Sequence, residues 1–522
     1  MARETYTPAL GQRLNMGDGM KRSIGVGILA ASMLLGASLA RASELRIALA
    51  EDPDALDPAL GITFVGRVVF ASLCDKLVDI DAKLNYVPQL ATSWSWSADN
   101  LTLTMKLRPG VVFQDGEPFD AAAVKANIER YQNAAFSKRK TELKQVKSVE
   151  VIDATTVAFH LSEPNAPLIG VLSDRAGMMV SPKAAEAAGD KFGGSPVCAG
   201  PYVFKQRVAQ EKIVAEKFDR YWNRDAIHID RLTYVPIPDG TVRLANLKAG
   251  GFDVIERVAP TDVASIRGDK NLALVVSPSI FYYTISINTS NGPQSKNPLG
   301  QDPRVREALE AAIDRDLLNR VAFNGEYVPN NQPILPGSAY YDPGHPVPPR
   351  DLEKAKRLLK EAGAERVAFT MLAANNPQDL QVAQVIQSMV AEAGFDMKIQ
   401  ATEARTLTDA TQKGDYQATI VFWSGRPDPD GNISIWLQCD GFLNWGKYCN
   451  TKLDEALAAA RRTTVPPERL KFYEQAASIY LADRPHIFLY NIKWIWGTTA
   501  KLEGFTPGVD GLIRPQGMVL KP

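Results

Sequence analysis

The chain is poor in the residues that usually announce chemistry. Of 522 residues, four are histidine (His160, His228, His345, His486) and four are cysteine (Cys74, Cys198, Cys439, Cys449). The histidines are scattered and no His-Glu-x-x-His occurs, so the closely spaced ligand pairs of a zinc centre are missing. No Gly-x-Ser-x-Gly is present. Ser137-Lys138-Arg139-Lys140 fits the short Ser-x-x-Lys pattern, but it has neither a Ser-Asp-Asn nor a Lys-Thr-Gly partner and reads as chance. A secreted hydrolase is therefore only the nearest enzyme alternative. There is no charge excess either: 59 basic and 59 acidic residues cancel. That leaves no electrostatic footprint for a nucleic acid. Low-complexity tracts and repeats of 20–50 residues are also absent.

What is there begins with a targeting segment. Met20-Lys21-Arg22 is a positive start, Ile24 to Ala40 is a short apolar run, and Ala40-Arg41-Ala42 is a cleavage motif. Residues 1–42 thus read as an upstream extension plus a signal peptide cleaved after Ala42. A retained membrane anchor is the alternative, but the run is short for one. Cleavage removes five basic and two acidic residues, leaving 54 and 57, a net charge of −3. All four cysteines survive it. An even count in an exported chain implies disulfides, with three pairings possible. Cys439 and Cys449 flank a short loop and are expected to pair, which leaves Cys74 with Cys198. No cysteine stands at the mature N-terminus to carry a lipid. A soluble, monomeric protein of an oxidising compartment is expected, most simply a bacterial periplasm.

Segment 43–275 mixes short strands with brief helices. Residues 45–50 read as a strand and 101–113 as two strands around Arg108-Pro109-Gly110. Residues 149–161 read as a hairpin turning at Asp153-Ala154, and 121–131 as a helix. Segment 302–483 alternates helices (302–322, 352–362, 378–393, 453–462, 467–482) with strands (366–373, 397–404, 416–423). That rhythm predicts a largely parallel sheet. Strand character returns at 487–497. The chain thus reads as an α/β protein of two lobes. A base lobe with a β-rich extra subdomain spans 43–285 and an α/β lobe spans 286–487. Residues 488–522 return to the base, so two crossings form a hinge beside a cleft.

Several motifs then occur in order. Residues 90–128, LATSWSWSADNLTLTMKLRPGVVFQDGEPFDAAAVKANI, are the strongest. Leu56-Asp-Pro-Ala-Leu60, Gly200-Pro-Tyr-Val-Phe204, 282–290 before 302–318, and 351–363 follow the same pattern. Together they resemble the extracytoplasmic solute-binding proteins of ABC importers, in the oligopeptide, dipeptide and nickel group (family 5), over essentially the whole mature chain. Ala123 departs from the usual acidic residue there. The resemblance implies a periplasmic-binding-protein fold of mixed sheets. It also implies a solute bound between lobes, delivery to an ABC permease, no catalysis and no cofactor. A receptor for a nickel or metal chelate is the alternative within the family.

The stretch Trp423-Ser-Gly-Arg-Pro-Asp-Pro-Asp-Gly-Asn432 leaves the carboxyl end of a strand, where open α/β sheets bind ligands. Pro429-Asp430-Gly431 reads as a turn. In the family's peptide receptors the loop is Trp-x-x-Asp, and that acid pairs with the peptide's α-ammonium. Here Arg426 takes its place. A guanidinium suits carboxylate or phosphate and repels ammonium. Asp428 could take over the ammonium, or Arg426 and Asp428 could simply pair with each other. The resemblance adds further candidates. Tyr282 and Tyr283 lie at the first crossing, and Trp494 and Trp496 follow the second. Alternation should send only one of each pair to the cleft. Thr63 and Phe64 follow the 56–60 motif, and Arg405 at a strand end is a second anion contact.

Overall fold

The computed structural model describes residues 42–522; the expected extension and signal peptide, residues 1–42, lie outside the described residues except for Ala42. The backbone of the molecule is an eleven-stranded mixed sheet. Its order is 395–402, 367–374, 418–423, 272–287, 486–499, 254–255, 44–49, 231–236, 212–217, 202–208, with 328–329 pairing to 486–499. The first three strands are parallel, and 418–423 then meets 272–287 antiparallel. A separate four-stranded antiparallel sheet (91–96, 102–107, 156–161, 146–153) forms the β-rich subdomain with helix Ala121–Asn133.

Several apolar clusters follow from this, and three groups of them frame the site. One surrounds Leu45, Val68, Tyr202, Trp494 and Trp496. A second fills the β-rich subdomain around Leu103, Phe113, Ile128 and Phe159. The third covers the two faces of the parallel strands, with Ile285, Leu309, Phe369 and Leu489 on one side and Tyr282, Trp436, Tyr473 and Phe488 on the other. Strands Leu272–Ile287 and His486–Thr499 run through both halves. Leu272 to Pro278 pair with Lys493 to Thr499 in the base. After a break in register between Pro278 and Tyr282, Tyr282 to Ser286 pair with His486 to Asn491 in the α/β half.

Helix starts follow the capping chemistry of the sequence. Asp120, Asp314, Asp351 and Asn376 each accept from the backbone N–H three residues on. Asp314 has a consequence at 302–322, where one helix was expected. It starts a second helix, so the segment is two, Pro303–Ala311 and Arg315–Phe323. The expected second strand of 101–113 is reduced to a single bridge from Val112 to Pro118. Both expected disulfides, Cys74–Cys198 and Cys439–Cys449, are formed. Among the described residues no helix is long and apolar enough to cross a membrane.

Candidate ligand-binding site

Strand Ala418–Trp423 ends beside the long strand, with Trp423 opposite Tyr282. The chain must then pass very close to the register break. Gly425 permits this: it has φ +78°, and a Cβ there would lie 2.5 Å from the Ile280 carbonyl oxygen. Asn432 ties the loop into a ring. Its Oδ1 accepts from the Arg426 N–H (2.6 Å) and its Nδ2 donates to the Arg426 carbonyl (2.9 Å). The Trp423 indole donates to the Gly431 carbonyl at 3.0 Å. Pro429-Asp430-Gly431 is not a free turn; it opens helix Asp430–Leu437.

The two charged residues of the loop point to different partners. Asp428 is buried and receives two hydrogen bonds from Arg469, both 2.9 Å, while the Tyr86 hydroxyl lies 3.4 Å away. The guanidinium of Arg426 instead lies 4.4 Å over the Trp423 ring and donates to the Gly425 carbonyl at 2.8 Å. Its Nε stands 3.7 Å from Asp174, which belongs to the other side of the molecule and is itself held by Arg67 at 3.0 Å. Arg426 and Asp428 therefore do not pair. The Arg426 side chain is 21% exposed. Burial lowers its pKa, with Asp174 opposing. Asp430 is likewise taken, by Arg461 at 2.8 Å.

Between the loop and the β-rich subdomain lies a cavity of about 600 Å³. Tyr86, Trp94, Trp96 and Ile169 wall it on one side, and Leu335, Tyr340, Arg426 and Arg469 on the other. The walls touch at the rim: the Ala166 N–H donates to the Arg461 carbonyl at 2.9 Å, and Asn100 Nδ2 to the Arg462 carbonyl at 3.2 Å. An aromatic lining with a few convergent polar groups has the character of a small-molecule site.

The remaining candidates divide by strand geometry. Tyr282 is buried, and its hydroxyl donates to the Asn432 carbonyl at 2.8 Å, supporting the loop from below. Tyr283 points to the opposite face, half-buried, stacked on Tyr490 at 5.0 Å and beside Phe422, which is 54% exposed. Alternation thus separates the tyrosines. It cannot separate the tryptophans: Trp494 and Trp496 stand two apart, so they share one face of their strand, and both are buried in the same base cluster with their rings 6.2 Å apart. Phe64 stacks on Trp494 at 4.6 Å, and Thr63 caps helix Phe64–Leu73 while donating to Asp54 at 2.6 Å. Arg405 takes no part. The strand stops at Thr402, and Arg405 is exposed in the first turn of helix Ala404–Lys413.

Sequence reasoning missed Asp174, Arg67, Arg469 and Tyr86. One sign was available: Arg67 is a lone charge in the apolar helix FVGRVVFASL, and such a residue needs a partner. Among the described residues no group of three or more His, Cys, Asp or Glu is gathered as a metal would require.

Comparison with known proteins agrees with this architecture. The family described as bacterial extracellular solute-binding proteins, family 5 Middle, matches residues 85–444. The glutathione-binding protein GsiB of Salmonella paratyphi A is 33% identical over 491 residues, covering 91% of this chain and 94% of that one. Among solved structures, the binding protein AgaA of A. tumefaciens R10, in complex with agropinic acid, is 26% identical with a TM-score of 0.77. That match covers 92% of this chain and 99% of AgaA. The periplasmic binding protein DppA of Helicobacter pylori, in complex with the peptide STSA, is 25% identical with a TM-score of 0.79, covering 92% and 98%. The chain belongs to family 5 of the bacterial extracellular solute-binding proteins.

Proposed function

We propose that the mature protein is a soluble, monomeric periplasmic receptor without a lipid anchor. It takes a peptide or peptide-like, anionic solute between its lobes and delivers it to an ABC-type permease. It binds and does not catalyse. The observation that carries this reading is the Arg426–Trp423 platform, aimed across the cleft at Asp174 and bordering the cavity. The relatives described as binding glutathione, agropinic acid and the peptide STSA support the substrate class. In this reading the lobes (43–285 with 488–522, and 286–487) close about the paired strands 272–287 and 486–499. Affinity in the µM-to-nM range, roughly −8 to −12 kcal/mol, is expected.

Isothermal titration of the mature protein with glutathione, agropinic acid and the peptide STSA tests it. Saturable one-to-one binding of at least one, with the solute recovered intact and weakened binding in Arg426→Ala, is the expected result. No binding of any of the three, or turnover of the peptide, would overturn it.

A further inference from the structure

The two long strands shared by both halves part at one place, and the C-terminal segment fills it. Between Pro278 and Tyr282 one strand has three residues where its partner has one, Ile492. Ser279, Ile280 and Phe281 are all buried, so their backbone groups need partners inside the protein. Asn491 Nδ2 donates to the carbonyls of Ser279 (3.1 Å) and Phe281 (3.3 Å), and the Phe281 N–H donates to Ser279 Oγ at 2.9 Å. The Ile280 N–H goes elsewhere: it donates to the Val509 carbonyl at 3.3 Å. That same carbonyl accepts from the Trp494 indole at 3.0 Å. One backbone oxygen of the tail thus ties both strands together at the break. Two residues on, Gly511 (φ +75°) lies so close over Trp494 that a Cβ would stand 2.3 Å from its ring.

The tail is anchored on one side only. Arg514 donates to Asp510 (2.9 and 2.8 Å) and to Asp79 (3.0 and 2.8 Å). Asp79 belongs to strand Val78–Ile80 of the base. Its neighbour Ile80 joins Val509 and Ile280 in a small apolar cluster, against which Leu84, Tyr86 and Leu335 pack. Of these residues Leu335 alone comes from the α/β half, so its contact with the cluster joins the two halves. Leu84, Tyr86, Ile280 and Leu335 also line the cavity.

We propose that residues 505–514 are a latch on the hinge. Held to the base through Arg514, the segment keeps Val509 over the register break, where Leu335 seats on it as the halves close. The apolar area covered by that contact stabilises the closed arrangement and not the open one. The latch therefore biases the lobes toward closure before any solute arrives. The proposal rests on the reading that two lobes close about these strands, and it adds what sets their balance. A receptor whose closed form is more populated binds its solute more tightly overall.

Small-angle scattering of the solute-free mature protein tests this without knowledge of the solute. Val509→Ala trims the cluster and keeps the carbonyl; its radius of gyration should exceed that of the wild type. Leu335→Ala, from the other half, should give the same expansion, and the double variant no more than either single one. Leu512→Ala is the control, because that side chain is equally buried in the same segment but packs into the base core. It should lower the unfolding midpoint and leave the radius unchanged. Unchanged radii in both Val509→Ala and Leu335→Ala would overturn the latch, as would an expansion in Leu512→Ala matching that of Val509→Ala. If Val509→Ala does not fold, Leu335→Ala carries the test. The two readings fail differently. A wild type that does not contract with glutathione, agropinic acid or the peptide STSA, but whose variants expand, keeps the latch and removes solute-driven closure. A wild type that contracts while its variants keep an unchanged radius does the reverse.

Discussion

Asp428 and Arg469 meet by two hydrogen bonds inside the α/β half, where neither side chain is more than 6% exposed. Burial alone would lower the Arg469 pKa, but the Asp428 carboxylate drives it well above the ordinary range. Replacing Arg469 by methionine strands a buried carboxylate and should cost about 3–5 kcal/mol, measured by urea unfolding. Asp428→Leu with Arg469→Met should recover most of that loss. His486 makes a second residue-scale statement. Burial holds its imidazole down to about 3, against 6.5 when unfolded. The fold keeps this side chain neutral, so its contribution is complete above pH 6.5. It is lost as pH falls from there toward 3, with a slope near 1.4 kcal/mol per unit. Thermal midpoints measured from pH 7 to pH 4 should fall accordingly, and His486→Gln should flatten the decline. At this scale the sequence exposed one partner of each pair. Arg426 stood out because its loop leaves a strand end. Asp174 and Arg67 are hundreds of positions away in the chain, and no local spacing links them to it.

Among elements, those with a clear period and a cap were legible. The helices 352–361, 377–391 and 451–462 and the strands 367–374 and 418–423 lie within a few residues of expectation. Failures occurred where a short signal served another purpose. Pro-Asp-Gly at 429–431 carries turn chemistry, but a proline near a helix start and the Asn432 ring make it an entry to a helix. Gly425 is the residue on which that whole element's position depends. Gly425→Ala forces a Cβ into the Ile280 backbone from a left-handed conformation. The expected result is a loss of at least about 1 kcal/mol in unfolding free energy together with weakened solute binding. The disulfides should differ in weight because their loops do. With a sequence separation of 124 from Cys74 to Cys198 but 10 from Cys439 to Cys449, chain entropy predicts about 5 and about 3 kcal/mol. Paired Cys→Ala variants, compared by chemical denaturation, check that order.

For the whole molecule, two antiparallel strands shared by both halves were readable as crossings. Their change of allegiance at a register break between Pro278 and Tyr282 was not, since it depends on pairing partners. The facing walls also meet at Gly170: a Cβ there would stand 2.9 Å from the Asp428 Cβ across the cleft, and 2.8 Å from the Tyr86 hydroxyl on its own side. Gly170→Val should prop the proposed closure open. Small-angle scattering should then show no contraction when solute is added, and affinity should fall. The arginines around Asp174 have a consequence at this scale too. Burial would raise the Asp174 carboxyl, but Arg67, Arg175, Arg426 and Arg139 hold it well below the ordinary carboxylate range, while burial pushes the Arg175 guanidinium down to about 9. Those charges are constant from about pH 4 to pH 8. A compartment outside the inner membrane takes on the acidity of its surroundings. A receptor gripping through these arginines would keep its grip electrostatically across that range, where one relying on a protonated histidine would let go as the water turned neutral.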